Sequence, residues 1–206
     1  MQDTARPAAL PRVAGIVLAG GASSRMGREK AFVSLGGRPV LAHVLERFRP
    51  QVAVVAISAN GDPARFAQFD CPVLADLEET VGRGPLAGVL AGLDFAQSRG
   101  LTGVAITPSD APFLPLDFVA RLMAEPLEDI AFAESAAGPQ PLFSVWPLTA
   151  RPAVAEALER GAFSVIGLIT RLAHRRTRFG PAEPNPFFNL NRPQDVASAE
   201  RWLALE

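Results

Sequence analysis

Short apolar runs and amphipathic stretches take turns along the first half of the chain. Residues 13–19 (VAGIVLA) are continuous, β-branched and too few for a buried helix, so they predict a buried strand. A glycine-bearing polar segment follows. After it, residues 39–48 (PVLAHVLERF) set Val40, Leu41, Val44, Leu45 and Phe48 on one helical face behind a starting proline. A second strand is predicted at 52–58, ending at Asn60-Gly61, and a short third at 72–76. A helix at 86–97 comes next, then a fourth strand from 103 that stops at Pro108. This alternation predicts an α/β protein with a largely parallel, right-handed sheet covered on both faces. The order then loosens. Residues 129–134 and 142–146 predict further strands, two helices fall between Ala150 and Leu172, and a proline-rich stretch (181–193) leads to a last helix ending near Leu205.

The polar residues fall at recurring places in that pattern. The glycine loop, Asn60, Asp76 and Asp110 each sit just past the apolar part of a predicted strand. In an open parallel sheet the carboxyl ends of the strands share the edge where ligands bind. Separate segments thus converge on one edge, and one of them is a loop rich in glycine and cations.

Composition narrows the function classes. Nearly half of the 206 residues are hydrophobic (49%), enough for a sizeable core. Twenty basic against twenty-one acidic residues leave a net charge of −1, so nothing global steers the chain to nucleic acid or an anionic membrane. The single cysteine, Cys71, excludes an internal disulfide and fits a cytoplasmic location. Residues 1–12 lack the apolar core of about 7–15 residues that a signal peptide needs, and they read as a flexible tail. The remainder, 13–206, is expected to be one domain, and the protein a monomer.

Residues 17–37 (VLAGGASSRMGREKAFVSLGG) carry five glycines and three basic residues. Gly20 and Gly21 lack a Cβ, so their backbone can approach a ligand closely and aim N–H groups at phosphate oxygens. Arg25 and Lys30 add positive charge, and Arg25 is taken as a phosphate partner from its position. The spacing of Gly20, Gly21 and Gly27 does not make the dinucleotide-binding G-x-G-x-x-G. Nor is it a Walker loop, because five residues separate Gly21 from Gly27 and Arg28 follows.

Leu-Ala-Gly-Gly (18–21), Arg-Met-Gly (25–27), Lys30 and Leu-x-Gly-x-Pro (35–39) occur in one order. With GPLAG (84–88), TPSDAPFL (107–114) and FFNLNRPQDV (187–196), the set resembles the molybdenum cofactor guanylyltransferase (MobA) family of nucleotidyltransferases. The resemblance implies a three-layer Rossmann-like fold with a mostly parallel central sheet. It implies nucleotide binding by about 13–114 and acceptor binding by about 115–206. It also implies a reaction in which GTP and molybdenum-bearing molybdopterin give the guanine dinucleotide cofactor and pyrophosphate. Carried over by position, Leu18, Ala19, Gly20 and Gly21 begin the nucleotide loop and Lys30 meets the triphosphate. Asn60 and Asp76 contact the nucleoside, Asp110 binds Mg²⁺, and Asn189 and Asn191 are candidates to meet the pterin. Lys30, Arg25 and Asp110 form the expected catalytic set. Transient contacts with cofactor-biosynthesis proteins or acceptor molybdoenzymes belong to the same implication. Glu29 departs from the family's usual aspartate by one methylene.

Plainer roles stand beside these. Asp110 could cap a helix started by Pro112 and Pro115, Asp76 could belong to a solvated acidic turn with Glu78 and Glu79, and Asn60-Gly61 is a common turn pair. Asn189 and Asn191 could serve only a backbone turn. His43 and His174 lack neighbours at metal-ligand spacing and are expected to be structural. Cys71 is expected to be inert, and the basic run 171–179 to be a solvated strand edge rather than a partner surface. Two other functions share the pocket: cytidylyl transfer to the same cofactor or to a sugar or alcohol phosphate, and non-catalytic carriage of the cofactor. Leu-Ala-Gly-Gly and GPLAG favour guanine by resemblance, and Lys30 with Asp110 favours catalysis.

Overall fold

A computed structural model describes residues 11–20 and 30–205. β1 (Val13–Leu18) lies at the heart of a seven-stranded sheet, hydrogen-bonded in parallel to β4 (Val54–Ser58) on one side and β6 (Gly103–Pro108) on the other. Because both faces of β1 are covered, its sequence is apolar without alternation, and Val13, Ala14, Ile16 and Val17 are fully buried. β2 (Ser34–Leu35) and β3 (Arg38–Pro39) form a separate short hairpin. β5 (Val73–Leu74) extends the sheet beyond β4, again in parallel.

The second half of the chain continues the same sheet. β7 (Ile130–Ser135) and β8 (Gly138–Pro147) form a hairpin, and β8 inserts antiparallel between β6 and β7. β9 (His174–Arg178) pairs in parallel with β7 and closes the order β5-β4-β1-β6-β8-β7-β9. The basic run is therefore an edge strand, as its charge suggested, with Arg176 and Arg178 both paired to Glu134 on β7.

Helices fill two layers. On one face, α1 (Val40–Phe48) and the short α3 (Phe118–Leu122) enclose a core with Val13, Val17, Ile57, Ala131 and Phe143. Gly15 belongs to this face: a Cβ there would lie 2.7 Å from a ring carbon of Phe48 and 2.9 Å from a methyl of Val52, so only glycine lets α1 seat on β1. On the other face, α2 (Pro85–Ser98), α4 (Arg151–Glu159) and α5 (Val165–Ile169) cover Ala14, Ile16, Val104, Ile106 and Trp146. An Arg151–Asp94 ion pair links α4 to α2. The layers follow from the strand pleat, which sends successive side chains to opposite faces. α6 (Pro193–Leu203) packs outside the sheet, joining Ala199 to Leu35 of β2, Val40, Phe113 and Leu190.

The predicted strands and longer helices are present with end shifts of a few residues. The β2–β3 hairpin and a 3-10 segment at Pro63–Phe69 were not anticipated, and the helix expected to start at Pro112 and Pro115 is the short α3, beginning only at Phe118. Each is short and held by its surroundings, so periodicity has too few residues to register. Of the expected tail, Pro11 and Arg12 are described, and the Arg12 guanidinium donates to the Gly100 carbonyl at 2.9 Å. No helix among the described residues is long and apolar enough to cross a membrane.

Candidate active site

The carboxyl ends of β1, β4, β5 and β6 open onto a cleft of about 690 Å³. Leu18, Ala19 and Gly20 continue from β1 along its floor. Their backbone is fixed by two bonds: Ala19 N–H donates to the Ser58 carbonyl at 2.8 Å, and Ser109 N–H donates to the Leu18 carbonyl at 3.1 Å. The three strand ends are thereby locked side by side. Gly21 and Arg25 of the expected loop, with Glu29, lie outside the described residues.

Asn60 follows β4, Asp76 follows β5, and the two meet in a reciprocal pair. The Asn60 amide donates to Asp76 Oδ2 at 2.7 Å, and the Asp76 backbone N–H donates to Asn60 Oδ1 at 2.9 Å. Neither residue is a free solvated turn, because each holds the other in one orientation at the cleft wall.

Asp110 follows β6 and is 8% exposed. Its Oδ2 accepts from Lys30 Nζ at 2.9 Å, which brings the loop cation against the carboxylate in a partly buried ion pair. Asp110 does not cap a helix: the next one, α3, begins at Phe118 with Asp117 preceding it. The capping alternative is corrected by the turn that residues 109–114 make before that helix. Lys30 also donates to Asn191 Oδ1, and Leu190 N–H donates to the Asp110 carbonyl at 3.0 Å. The segment before α6 is thus fastened onto the site, and both Asn189 and Asn191 line the cleft. Asn189 Oδ1 is buried without a hydrogen-bond partner among the described residues.

The opposite wall is the N-terminus of α2. Gly82 and Gly84 both have φ near 77°, a conformation that favours glycine, and Gly84 precedes Pro85 with no side-chain cap on the helix. Gly82, Gly84, Pro85 and Gly88 line the cleft, so the N-terminal end of α2 and its dipole face it, a setting that suits an anion or an electron-rich ligand atom. One turn further on, Gly88 lets α2 touch the floor. A Cβ there would lie 2.5 Å from Ser58 Oγ and 2.6 Å from Leu18 Cδ2. Both of those side chains line the cleft, so they must yield into the ligand space. Gly88→Ala is therefore expected to weaken nucleotide binding by about 3- to 10-fold, with the helix propensity gain holding the melting temperature near wild type. Titration calorimetry reads the first and a thermal melt the second; unchanged affinity would show that Ser58 and Leu18 rotate clear.

Ser58, Ser109, Gly84, Gly88 and Leu142 were not singled out from the sequence. GPLAG and TPSDAPFL marked Gly84, Gly88 and Ser109 as motif residues without a role, whereas Ser58 and Leu142 carry no local signal. The remaining reactive side chains lie elsewhere. His43 Nε2 contacts the Leu35 carbonyl at 2.9 Å, and His174 Nδ1 the Leu172 carbonyl at 2.9 Å, both structural. Burial pushes the Cys71 thiol above its ordinary value, with Arg49 opposing, so it stays a protonated packing group.

The described residues of the cleft supply a cation, carboxylates, amides and backbone N–H groups, and no cysteine or histidine. Such a set can bind and orient a polyphosphate and a metal ion, and it suits a displacement that needs no protein nucleophile. For the metal, Asp110 is one carboxylate at the cleft, and the described residues hold no cluster of three or more acidic, histidine or cysteine ligands. That donor set fits a hard ion that keeps several waters and takes phosphate oxygens.

Comparison with known proteins yields a consistent group. Residues 15–176 match the family described as the MobA-like NTP transferase domain. The molybdenum cofactor guanylyltransferase of Rhodopseudomonas palustris (strain HaA2) is 45% identical over 197 residues, covering 92% of each chain. That of Mesorhizobium japonicum is 44% identical over 200 residues, covering 93% of this chain and 96% of its own. Among solved structures, molybdopterin-guanine dinucleotide biosynthesis protein A from Archaeoglobus fulgidus superimposes with a TM-score of 0.75. It has 23% identity and covers 94% of this chain and 100% of its own, a likeness of fold.

Proposed function

The chain belongs to the MobA-like NTP transferase family, and from that premise we propose that it transfers GMP from GTP to molybdenum-bearing molybdopterin, releasing pyrophosphate. The observation that carries this reading is the meeting of Lys30, Asp110 and the Asn60–Asp76 pair at one sheet edge, opposite the N-terminus of α2. The substrates come from the names of the relatives, which are similar over nearly their whole length.

A terminal phosphate oxygen of the pterin attacks the α-phosphorus of GTP in line. A new P–O bond forms, the bond to the β-phosphate bridging oxygen breaks, and pyrophosphate leaves with the electron pair. The protein positions the two reactants and balances their charge. Lys30 holds the triphosphate with a mobile ammonium on a long stem. Asn60 and Asp76, each fixing the other, contact the nucleoside, while Leu18, Ala19 and Gly20 bring backbone close to it. Asp110 would hold Mg²⁺, which when bound supplies neutralising charge to the phosphate oxygens. The Lys30–Asp110 pair keeps the cation and the carboxylate side by side at the cleft. Asn189 and Asn191 sit on the side of the cleft built by the later part of the chain, where the acceptor docks. The reaction takes place in the cytoplasm, a setting that suits a single free thiol.

Protein given Mg²⁺, molybdenum-loaded molybdopterin and an equal mixture of GTP, CTP and ATP is expected to release pyrophosphate from GTP, with guanine in the product. Guanine presents a ring N–H, an amino group and O6, and a site that pairs them rejects a base that leaves partners unmatched. Product carrying cytosine would keep the mechanism and change the base. Cofactor binding without pyrophosphate from any nucleotide would identify a carrier instead.

A further inference from the structure

Asp195 sits in the first turn of α6, half-buried and outside the cleft lining. Its Oδ2 accepts two backbone hydrogen bonds, from Asn191 N–H at 2.7 Å and Arg192 N–H at 2.8 Å. These bonds fix the backbone that carries the Asn191 side chain. The Asn191 amide nitrogen is turned toward the Asn189 carbonyl at 3.4 Å, which leaves Oδ1 to accept from Lys30. A second fastening, Leu190 N–H to the Asp110 carbonyl, holds the same segment to the end of β6. Lys30 Nζ is consequently placed by two acceptors, one just after β6 and one from the segment before α6.

We propose that Asp195 is a positioning residue of the phosphate-binding site, acting through Asn191 to hold the Lys30 ammonium where it meets the triphosphate. A lysine on a four-carbon stem has many rotamers to lose, and an acceptor held in place beforehand lowers that loss when phosphate binds. An exposed asparagine on an unpinned loop could not supply a fixed acceptor. The carboxylate at the start of α6 therefore does two jobs with one oxygen: it satisfies N–H groups at the helix start and it orients a residue of the site. This inference rests on the proposed placement of the triphosphate at Lys30.

The test reads phosphate binding separately from base and from chemistry. Calorimetry on the full chain with Mg²⁺ and inorganic tripolyphosphate is expected to show D195A weakened by about fivefold, the scale of one net hydrogen bond. Guanosine affinity is expected to be unchanged. N191A should show the same loss, and the D195A/N191A double variant no more than either alone, because one residue works through the other. D195N is expected to bind tripolyphosphate as wild type does, since both backbone bonds go to one oxygen and the amide oxygen replaces it. Losses that add, an equal loss for guanosine, or a D195N as weak as D195A would overturn the proposal, as would a wild-type protein that does not bind tripolyphosphate. If D195A does not fold, D195E shifts the acceptor by one methylene while keeping the charge at the helix start. A folded D195E with wild-type affinity would overturn it equally. Failure of the guanylyl reading shows differently, as pyrophosphate released from another nucleotide with the tripolyphosphate pattern intact.

Discussion

Turnover is expected to fall by about 10²- to 10³-fold when Asp110 is replaced by asparagine, the usual scale for removing one charged contributor to a developing transition state. The substitution conserves volume and an acceptor oxygen, so a hydrogen bond from Lys30 can persist while the carboxylate charge is lost. The Asp110 carbonyl still receives Leu190 N–H, and no helix depends on this side chain for its cap. Lys30, whose side chain is 24% exposed, reaches solvent and is not stranded by the loss of its partner. The melting temperature is therefore expected to stay close to wild type. Pyrophosphate release across a Mg²⁺ titration, beside a circular dichroism melt, measures both quantities. Near wild-type turnover would move the metal site elsewhere, and a collapsed melt would make Asp110 a structural residue.

Phe118→Ala is expected to remove about 3–5 kcal/mol of stability, the range for truncating a buried phenylalanine. Phe118 is fully buried at the centre of an aromatic cluster, with ring centroids 6.4 Å from Phe48, 6.3 Å from Phe143 and 6.2 Å from Phe179. These rings come from α1, β8 and the segment after β9, so the cavity would open where distant parts of the chain converge. α3 itself spans Phe118–Leu122 and has no side-chain cap; its outward links include Val119 N–H donating to Gln51 Oε1 at 2.9 Å and the Arg121 guanidinium donating to the Arg178 carbonyl at 2.6 Å. So short a helix has little stability of its own and depends on that packing. Urea denaturation measures the loss, which corresponds to a fall of about 10 °C in melting temperature for a chain of this size. A loss below about 1 kcal/mol would show that α3 collapses into the space.

Much of the architecture was legible along the chain because it depends on short-range pattern. A strand buried on both faces must be continuously apolar, as at Val13–Val17, and a helix covering it must repeat its apolar residues at helical spacing, as Val40, Val44 and Phe48 do. Asn60, Asp76 and Asp110 were also legible, since a polar residue just past a buried strand has few places to go but the sheet edge. The ordered motifs added the chemistry through resemblance, a kind of information that periodicity does not hold.

Tertiary structure decided which of those residues meet. Lys30 lies 80 positions from Asp110 and 161 from Asn191, and their contact follows from strand order and from where α6 docks. The antiparallel placement of β8 between β6 and β7 likewise leaves no mark in its alternation, because side-chain period is the same in either direction. The sequence by itself determined the layers, the strand ends and the candidate residues, because pleat and helix period are local properties of the backbone. The Lys30–Asp110–Asn191 constellation, the Asn60–Asp76 pair, the close approach at Gly88 and the start of α3 at Phe118, well past Asp110, were settled only when remote segments packed together. Their positions depend on long-range register, which no window of neighbouring residues encodes.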